Sequence, residues 1–160
     1  MVNKEISYFL IVKVIKKNRK EKDCCIVALF NALSWCKKPR EYREIEQIAE
    51  TKYAYTGELG FQSEYFETFL EDLGIPNKKC DESYLYDIQA ELHMGKAYLF
   101  CFTLHTWDNW HMTMVSKDRL GKIRIINPGM NKTSWDEVAS TIYAGAGMWT
   151  AWELPNRNTL

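Results

Sequence analysis

The sequence has no excess of charge of either sign. Its 160 residues contain 21 Lys or Arg and 21 Asp or Glu, so the formal net charge is zero. Proteins dedicated to nucleic-acid binding generally carry a basic excess, because contacts to the phosphate backbone dominate their affinity. The balance of charge therefore argues against a nucleic-acid partner. One local exception lies at 16–22, which contains five Lys or Arg and one Glu, a composition that is usually a solvated loop.

The sequence also lacks the patterns of membrane-spanning, secreted and zinc-stabilised proteins. No apolar run approaches the roughly 20 residues that cross a bilayer. The apolar run at 6–12 ends at Lys13 and lacks a small-residue cleavage site, so it is a poor signal peptide. The five cysteines form no C-x-x-C pair, and their odd number and irregular spacing suit a reducing compartment. We therefore expect a cytoplasmic protein with no membrane contact, no metal and no organic cofactor.

Internal repeats and low-complexity segments are absent too, and the patterns that remain predict one mixed domain over 1–160. The chain is long enough to bury a core, and 46% apolar and 26% charged residues are ordinary for a globular protein. Helical spacing precedes most of the strand-like alternation, which predicts an α+β fold with an antiparallel sheet. The predicted helices cover 24–36, 41–52, 63–73, 84–93 and 135–143, and the predicted strands cover 8–15, 97–104, 110–116, 122–126 and 148–154.

One stretch, 23–36, combines a helix start with two thiols. Asp23 is a favourable N-cap, because its carboxylate can accept from free N–H groups of the first turn. Cys24 and Cys25 then fall in that turn, where the partial positive charge of the helix end favours the reactive thiolate. The rest is apolar nearly all round, which predicts a central buried helix. Taken alone, the stretch fits a core helix with two packed thiols better than a catalytic site, because free cysteine is commonly buried.

A histidine and an asparagine offer two further members of a site. His111 opens a predicted strand, and alternation places His111 and Thr113 on one face. If that face meets the central helix, His111 approaches the helix N-terminus. A hairpin turning at 118–121 places Asn127 opposite His111, where its amide oxygen can orient the imidazole toward a thiol. Asn127 also precedes Pro128, in a position where Asn is a common turn residue.

The order and spacing of these motifs resemble the papain-like cysteine peptidases of the bacteriocin-processing, C39-like type. In that family Asp-Cys-Gly begins an Ala/Leu-rich helix, and a later strand that opens with His leads into a hairpin ending in Asp-Pro or Asn-Pro. Asp23-Cys24, Ala28-Leu29, Leu73-Gly74 and the hairpin at 111–128 are similar, and the resemblance extends over nearly the whole chain. It implies a papain-like fold, in which an N-terminal helical part with a central buried Cys helix packs on a C-terminal antiparallel sheet.

The resemblance also implies roles for four residues. Cys24 corresponds to the nucleophile, His111 to the base and Asn127 to the orienter. Asn18 stands where the family has a Gln whose amide helps to hold the oxyanion. The implied activity is that of a cysteine peptidase or related thiol hydrolase, which cleaves an amide bond of a peptide or protein substrate through an acyl-enzyme and needs no cofactor. A second departure is Cys25, where the family has Gly; its side chain either narrows the cleft or is itself the reactive thiol.

The sequence leaves other functions open. Amidases, isopeptidases and acyltransferases are all compatible with this fold. A papain-like domain without catalysis can serve as a protein-binding module, which the departures at Asn18 and Cys25 and the many aromatic residues favour. A zinc-dependent hydrolase that uses His105, His111 and Cys101 is a third alternative. The sequence predicts no particular oligomeric state.

Overall fold

The computed structural model describes residues 14–80, 84–104, 110–129 and 133–160. It confirms the mixed α+β class. The described helices are α1 (Cys24–Trp35), α2 (Tyr42–Lys52), α3 (Phe66–Asp72), α4 (Leu85–His93) and α5 (Trp135–Tyr143). Short 3-10 turns cover Ser63–Tyr65 and Arg157–Thr159. The described strands are β1 (Lys78–Lys79), β2 (Tyr98–Leu104), β3 (His111–Lys117), β4 (Ile123–Ile126) and β5 (Gly147–Glu153).

The five described strands form one antiparallel sheet in the order β1-β5-β2-β3-β4. The meander from β2 through β3 to β4 follows the predicted order of strands. β5 returns from the chain end to pair along the whole of β2, and β1 pairs with its outer side. Most of the predicted strand at 8–15 lies outside the described residues, and its last two residues, Val14 and Ile15, are not in a strand.

The sheet separates two hydrophobic cores. On one face α1 packs, together with α2 and α3, against apolar side chains of the strands, namely Leu99, Cys101, Met112, Met114 and Trp152. On the other face α4 and α5 pack against strand side chains that point the opposite way, namely Phe100, Phe102, Val115, Ile125 and Ala151. Ten of the twelve residues of α1 are buried, so the predicted central helix is confirmed. No described helix is both long and apolar enough to cross a membrane.

The segment that leads into α1 is held by a buried amide. Asn31 lies on α1 and is fully buried. Its Oδ1 accepts from the Ile15 N–H at 2.7 Å, and its Nδ2 donates to the Ile15 carbonyl at 3.0 Å. Both main-chain groups of Ile15 are thereby satisfied, as a strand partner would satisfy them. The loop at 16–22 therefore starts from a fixed point.

The C-terminal end of α1 is held by a buried arginine. Lys37, at φ 57°, turns the chain out of the helix. Arg157 is only 5% exposed, and its guanidinium donates to the Ser34 carbonyl at 3.0 Å and to the Trp35 carbonyl at 2.7 Å. These are carbonyls that the end of a helix leaves without an intrahelical partner, and a positive charge is favourable there.

Replacing Arg157 with alanine is expected to lower the free energy of unfolding by about 2 kcal/mol, because hydrogen bonds from a charged donor contribute about 1.5–3 kcal/mol. Urea unfolding followed by tryptophan fluorescence measures the change. The control is Arg119→Ala in the exposed β3–β4 turn, expected to stay within about 0.5 kcal/mol of the wild type. A loss for Arg157→Ala that is no larger than the control's contradicts an anchoring role.

Candidate active site

The N-terminus of α1 meets the sheet at the start of β3. The described pairing of β3 with β4 ends at Met114 opposite Ile126, so Met112 lies beyond the last paired residues of that ladder. The Met112 amide is close enough to the Cys24 sulfur to lower the pKa of its thiol. Cys24 is therefore placed beside the main chain next to His111.

The two adjacent thiols have different surroundings. Cys24 is half-buried, whereas Cys25 is only 6% exposed and belongs to the core between α1 and the sheet. The Cys25 side chain therefore does not line the open side of the helix N-terminus, and burial raises the pKa of its thiol well above the usual value. Of the two alternatives left open by the sequence, this geometry favours Cys24 as the accessible thiol.

The Cys24 thiol is held in its neutral form. Burial raises its pKa above the usual value, and the neighbouring Asp23 charge raises it further. The main-chain amides of Met112, Cys25 and Cys24 each lower the pKa, but together they do not offset burial and charge. The expectation that the helix end leaves Cys24 as a thiolate is therefore wrong for the resting protein.

Asp23 does not cap α1 with its side chain, contrary to the prediction. It is fully buried, and its Oδ2 accepts from the Tyr42 hydroxyl at 2.6 Å and from the Arg19 N–H at 3.1 Å. These two donors, one from α2 and one from the preceding loop, draw the carboxylate away from the first turn of α1. Asp23 thus ties the loop to two helices and places a negative charge beside Cys24.

The face of β3 that meets α1 is that of Met112 and Met114, not that of His111 and Thr113. The His111 ring instead lies edge-to-face with Phe102, at 5.9 Å between ring centroids. Because His111 is the first residue of β3, its ring lies at the end of the sheet. There its Nε2 is 2.6 Å from the main-chain oxygen of Asn127.

This contact determines the tautomer of His111. A carbonyl oxygen can only accept a hydrogen bond, so Nε2 carries the proton and Nδ1 is the nitrogen able to take another. Burial lowers the pKa of His111, and the Asn127 carbonyl opposes this only in part. Among the described residues no hydrogen bond joins the Cys24 sulfur to the ring.

Asn127 contacts His111 through its main chain and Asn18 through its side chain. The observed register, continued from Met114 opposite Ile126, places Asn127 opposite Thr113. The predicted register is therefore wrong by two residues, whereas the prediction that Asn127 lies beside His111 is confirmed by the contact of its main-chain oxygen with the ring. Asn127 is buried at φ 65°, a left-handed conformation that asparagine tolerates better than most residues. It lies where β4 has ended, so its carbonyl can reach the ring.

The side chain of Asn127 donates from Nδ2 to the Oδ1 of Asn18 at 2.7 Å. Because this bond occupies an acceptor site on the Asn18 amide, the Nδ2 group of Asn18 is the part that can donate to a ligand. The structure thus links Asn18, Asn127 and His111 by hydrogen bonds and places Cys24 against the residue after His111. The contact between the two asparagines has no counterpart in the sequence patterns, because 109 residues separate them.

The described residues contain no group of three or more His, Cys, Asp or Glu side chains placed to hold a metal ion. His105, which the zinc alternative requires, lies outside the described residues. No protein-family model matches the chain, and no curated protein matches its sequence.

The lowered pKa of His111 predicts a pH dependence of stability. Between the folded and unfolded pKa values, the unfolded chain binds this proton more readily than the folded protein does. Stability should therefore decrease as the pH falls through the unfolded-state value of about 6.5. Urea unfolding at pH 7.5 and 5.5 measures the difference, which His111→Gln should reduce and the exposed control His93→Gln should leave unchanged. An equal pH dependence in wild type and His111→Gln contradicts the buried, neutral state of this ring.

Proposed function

We propose that this protein is a papain-like thiol hydrolase of the C39-like type, with Cys24 as nucleophile, His111 as base and Asn18 as oxyanion donor. The observation that carries the proposal is the Nε2 contact of His111 with the Asn127 carbonyl. It places the proton of a buried imidazole on Nε2 at the start of β3. Cys24, the one thiol of the five that is not buried, lies close enough to the amide of Met112, the residue after His111, for that amide to lower its pKa. In this proposal the main-chain oxygen of Asn127, and not its side-chain amide, orients the His111 imidazole.

The proposed reaction begins from a neutral pair, because burial raises the pKa of Cys24 and lowers that of His111. His111 takes the thiol proton as the sulfur attacks the substrate carbonyl and a C–S bond forms. The oxygen gains the electron pair of the C=O bond and accepts from the Cys24 main-chain N–H and the Asn18 amide. The C–N bond then breaks as His111 gives its proton to the leaving amine. Water finally releases the acyl group, with His111 again acting as the base.

The proposal needs no cofactor, and its substrate is a peptide or protein. Amidase, isopeptidase and acyltransferase reactions use the same steps with a different leaving group or acyl acceptor. We place the protein in the cytoplasm, because all five cysteines are free and a thiol nucleophile must stay reduced. The alternative, a catalytically silent protein-binding module, is favoured by one observation, the raised pKa of Cys24.

The alkylation rate of Cys24 by iodoacetamide should depend on His111. In the wild type, the rate should rise with pH as the imidazole loses its proton, at a pH below the usual histidine pKa of about 6.5. The rate should then stay level up to the pH at which the thiol itself ionises, which lies above the usual cysteine pKa. His111→Gln should lose this level region, slowing the reaction at pH 7 at least about tenfold, because the base for the thiol is gone. Mass spectrometry of the labelled peptides across pH 5–10 measures both profiles.

The matched control is Cys25→Ala, which should keep the wild-type profile, whereas Cys24→Ala should abolish it. The opposite result assigns the nucleophile to Cys25. If Cys24 reacts only as an ordinary thiol and its profile is the same with and without His111, the hydrolase proposal fails and the binding-module alternative stands.

A further inference from the structure

The loop at 16–22 concentrates positive charge in a chain whose net charge is zero. It contains five Lys or Arg and one Glu. A cluster of one sign beside a cleft raises the local concentration of oppositely charged ligands and accelerates their association. The loop also carries Asn18, the oxyanion donor of the proposed function.

Two of the five cations are engaged within the protein. The Lys20 ammonium pairs with the Glu46 carboxylate at 2.5 Å, and the Arg19 guanidinium lies 4.8 Å from the centre of the Tyr42 ring. Lys16, Lys17 and Lys22 are exposed, and their ammonium groups make no ion pair within the part of the chain that the structure describes. These three charges are therefore exposed on the loop that carries Asn18.

This loop is held at four points, three through the main chain of Ile15, Arg19 and Lys22 and one through the Asn18 side chain, unlike a freely solvated segment. Asn31 binds both main-chain groups of Ile15, and the Asn18 side chain is bound by Asn127. The Arg19 N–H donates to Asp23, and the Lys22 N–H donates to the Gly57 carbonyl at 2.9 Å. The lysines consequently extend from a main chain whose position relative to the thiol is fixed.

We infer that the substrate of this site is an acidic peptide, with Asp or Glu side chains close to the scissile bond that pair with Lys16 and Lys17. The inference rests on the proposed function. A substrate carbonyl that accepts from Asn18 places the neighbouring two substrate residues within about 7 Å along an extended chain. Lys17 is adjacent to Asn18, so its four-carbon side chain reaches that distance.

An acidic peptide fits these charges better than a nucleic acid does. Three exposed lysines on one short loop match a few carboxylates, whereas nucleic-acid binding proteins extend a basic surface along many phosphates. Glu21 lies within the loop and the chain as a whole is neutral, and both features weaken attraction for a polyanion.

The test uses three tetrapeptide vinyl sulfones of equal length, whose three variable residues are all Glu, all Ala or all Lys. The rate of Cys24 labelling is divided by the rate with iodoacetamide, so that changes in thiol reactivity cancel. We expect the Glu probe to label about tenfold faster than the Ala probe at low ionic strength, as electrostatic steering predicts. The Lys probe should be the slowest, and the differences should shrink at 0.5 M salt. Glu-rich hexapeptides should compete with the Ala probe better than Lys-rich ones.

The variant pair tests the source of this preference. Lys16→Glu with Lys17→Glu should reverse the order of the Glu and Lys probes. The control, Lys38→Glu with Arg119→Glu, makes the same change of charge at exposed sites near the far ends of α1 and β3, and it should keep the order.

The outcomes separate this inference from the proposed function. If no probe labels Cys24 in a His111-dependent manner, the proposed function fails, and the inference fails with it. Equal labelling by all probes and equal competition by both hexapeptides overturn the inference alone. A preference for Glu that survives the loop substitutions also overturns it. The inference is also overturned if Lys16→Glu with Lys17→Glu keeps the wild-type probe preference but weakens binding to a 20-base-pair RNA duplex or to an anionic phosphatidylserine vesicle.

Discussion

The candidate site depends on the conformation of one residue, Asn127. Its left-handed backbone lies just beyond β4, where its carbonyl meets the His111 ring, and its side chain binds Asn18. One residue therefore selects the tautomer of His111 and holds the side chain of Asn18, the proposed oxyanion donor. Substituting a β-branched residue here would strain the backbone and remove the amide together, so the two functions are coupled through a single main-chain turn.

The second constraint is the competition between burial and hydrogen bonding at Cys24. Three main-chain amides near the sulfur favour the thiolate, yet burial and the Asp23 charge raise the pKa of the thiol above its usual range. His111 is buried as well, and its pKa shifts in the opposite direction. Both shifts favour the uncharged forms, because a poorly solvated environment disfavours each ion separately. Under the proposed function, proton transfer accompanies attack and does not precede it.

Local patterns predicted most of the described elements because each depends on neighbours in the chain. The apolar run after Asp23 gives a buried helix, and alternation at 110–116 and 122–126 gives two strands of a hairpin. The errors arise where distant groups intervene. Tyr42 and Arg19 draw the Asp23 carboxylate away from the helix cap. The two lysines of β1 have no alternation of their own, and β5 alone makes them a strand.

The mixed class, the buried helix that opens with Cys24 and the residue types of a site follow from the amino-acid sequence alone. Helix periodicity, strand alternation and apolar content are local, so they can be read without coordinates. The packing of distant segments sets which thiol is the least buried, which face of β3 meets α1, and whether the Asn127 side chain or main chain contacts His111. These depend on register, on burial and on contacts across more than 100 residues, such as the one between Asn18 and Asn127, which no local pattern encodes.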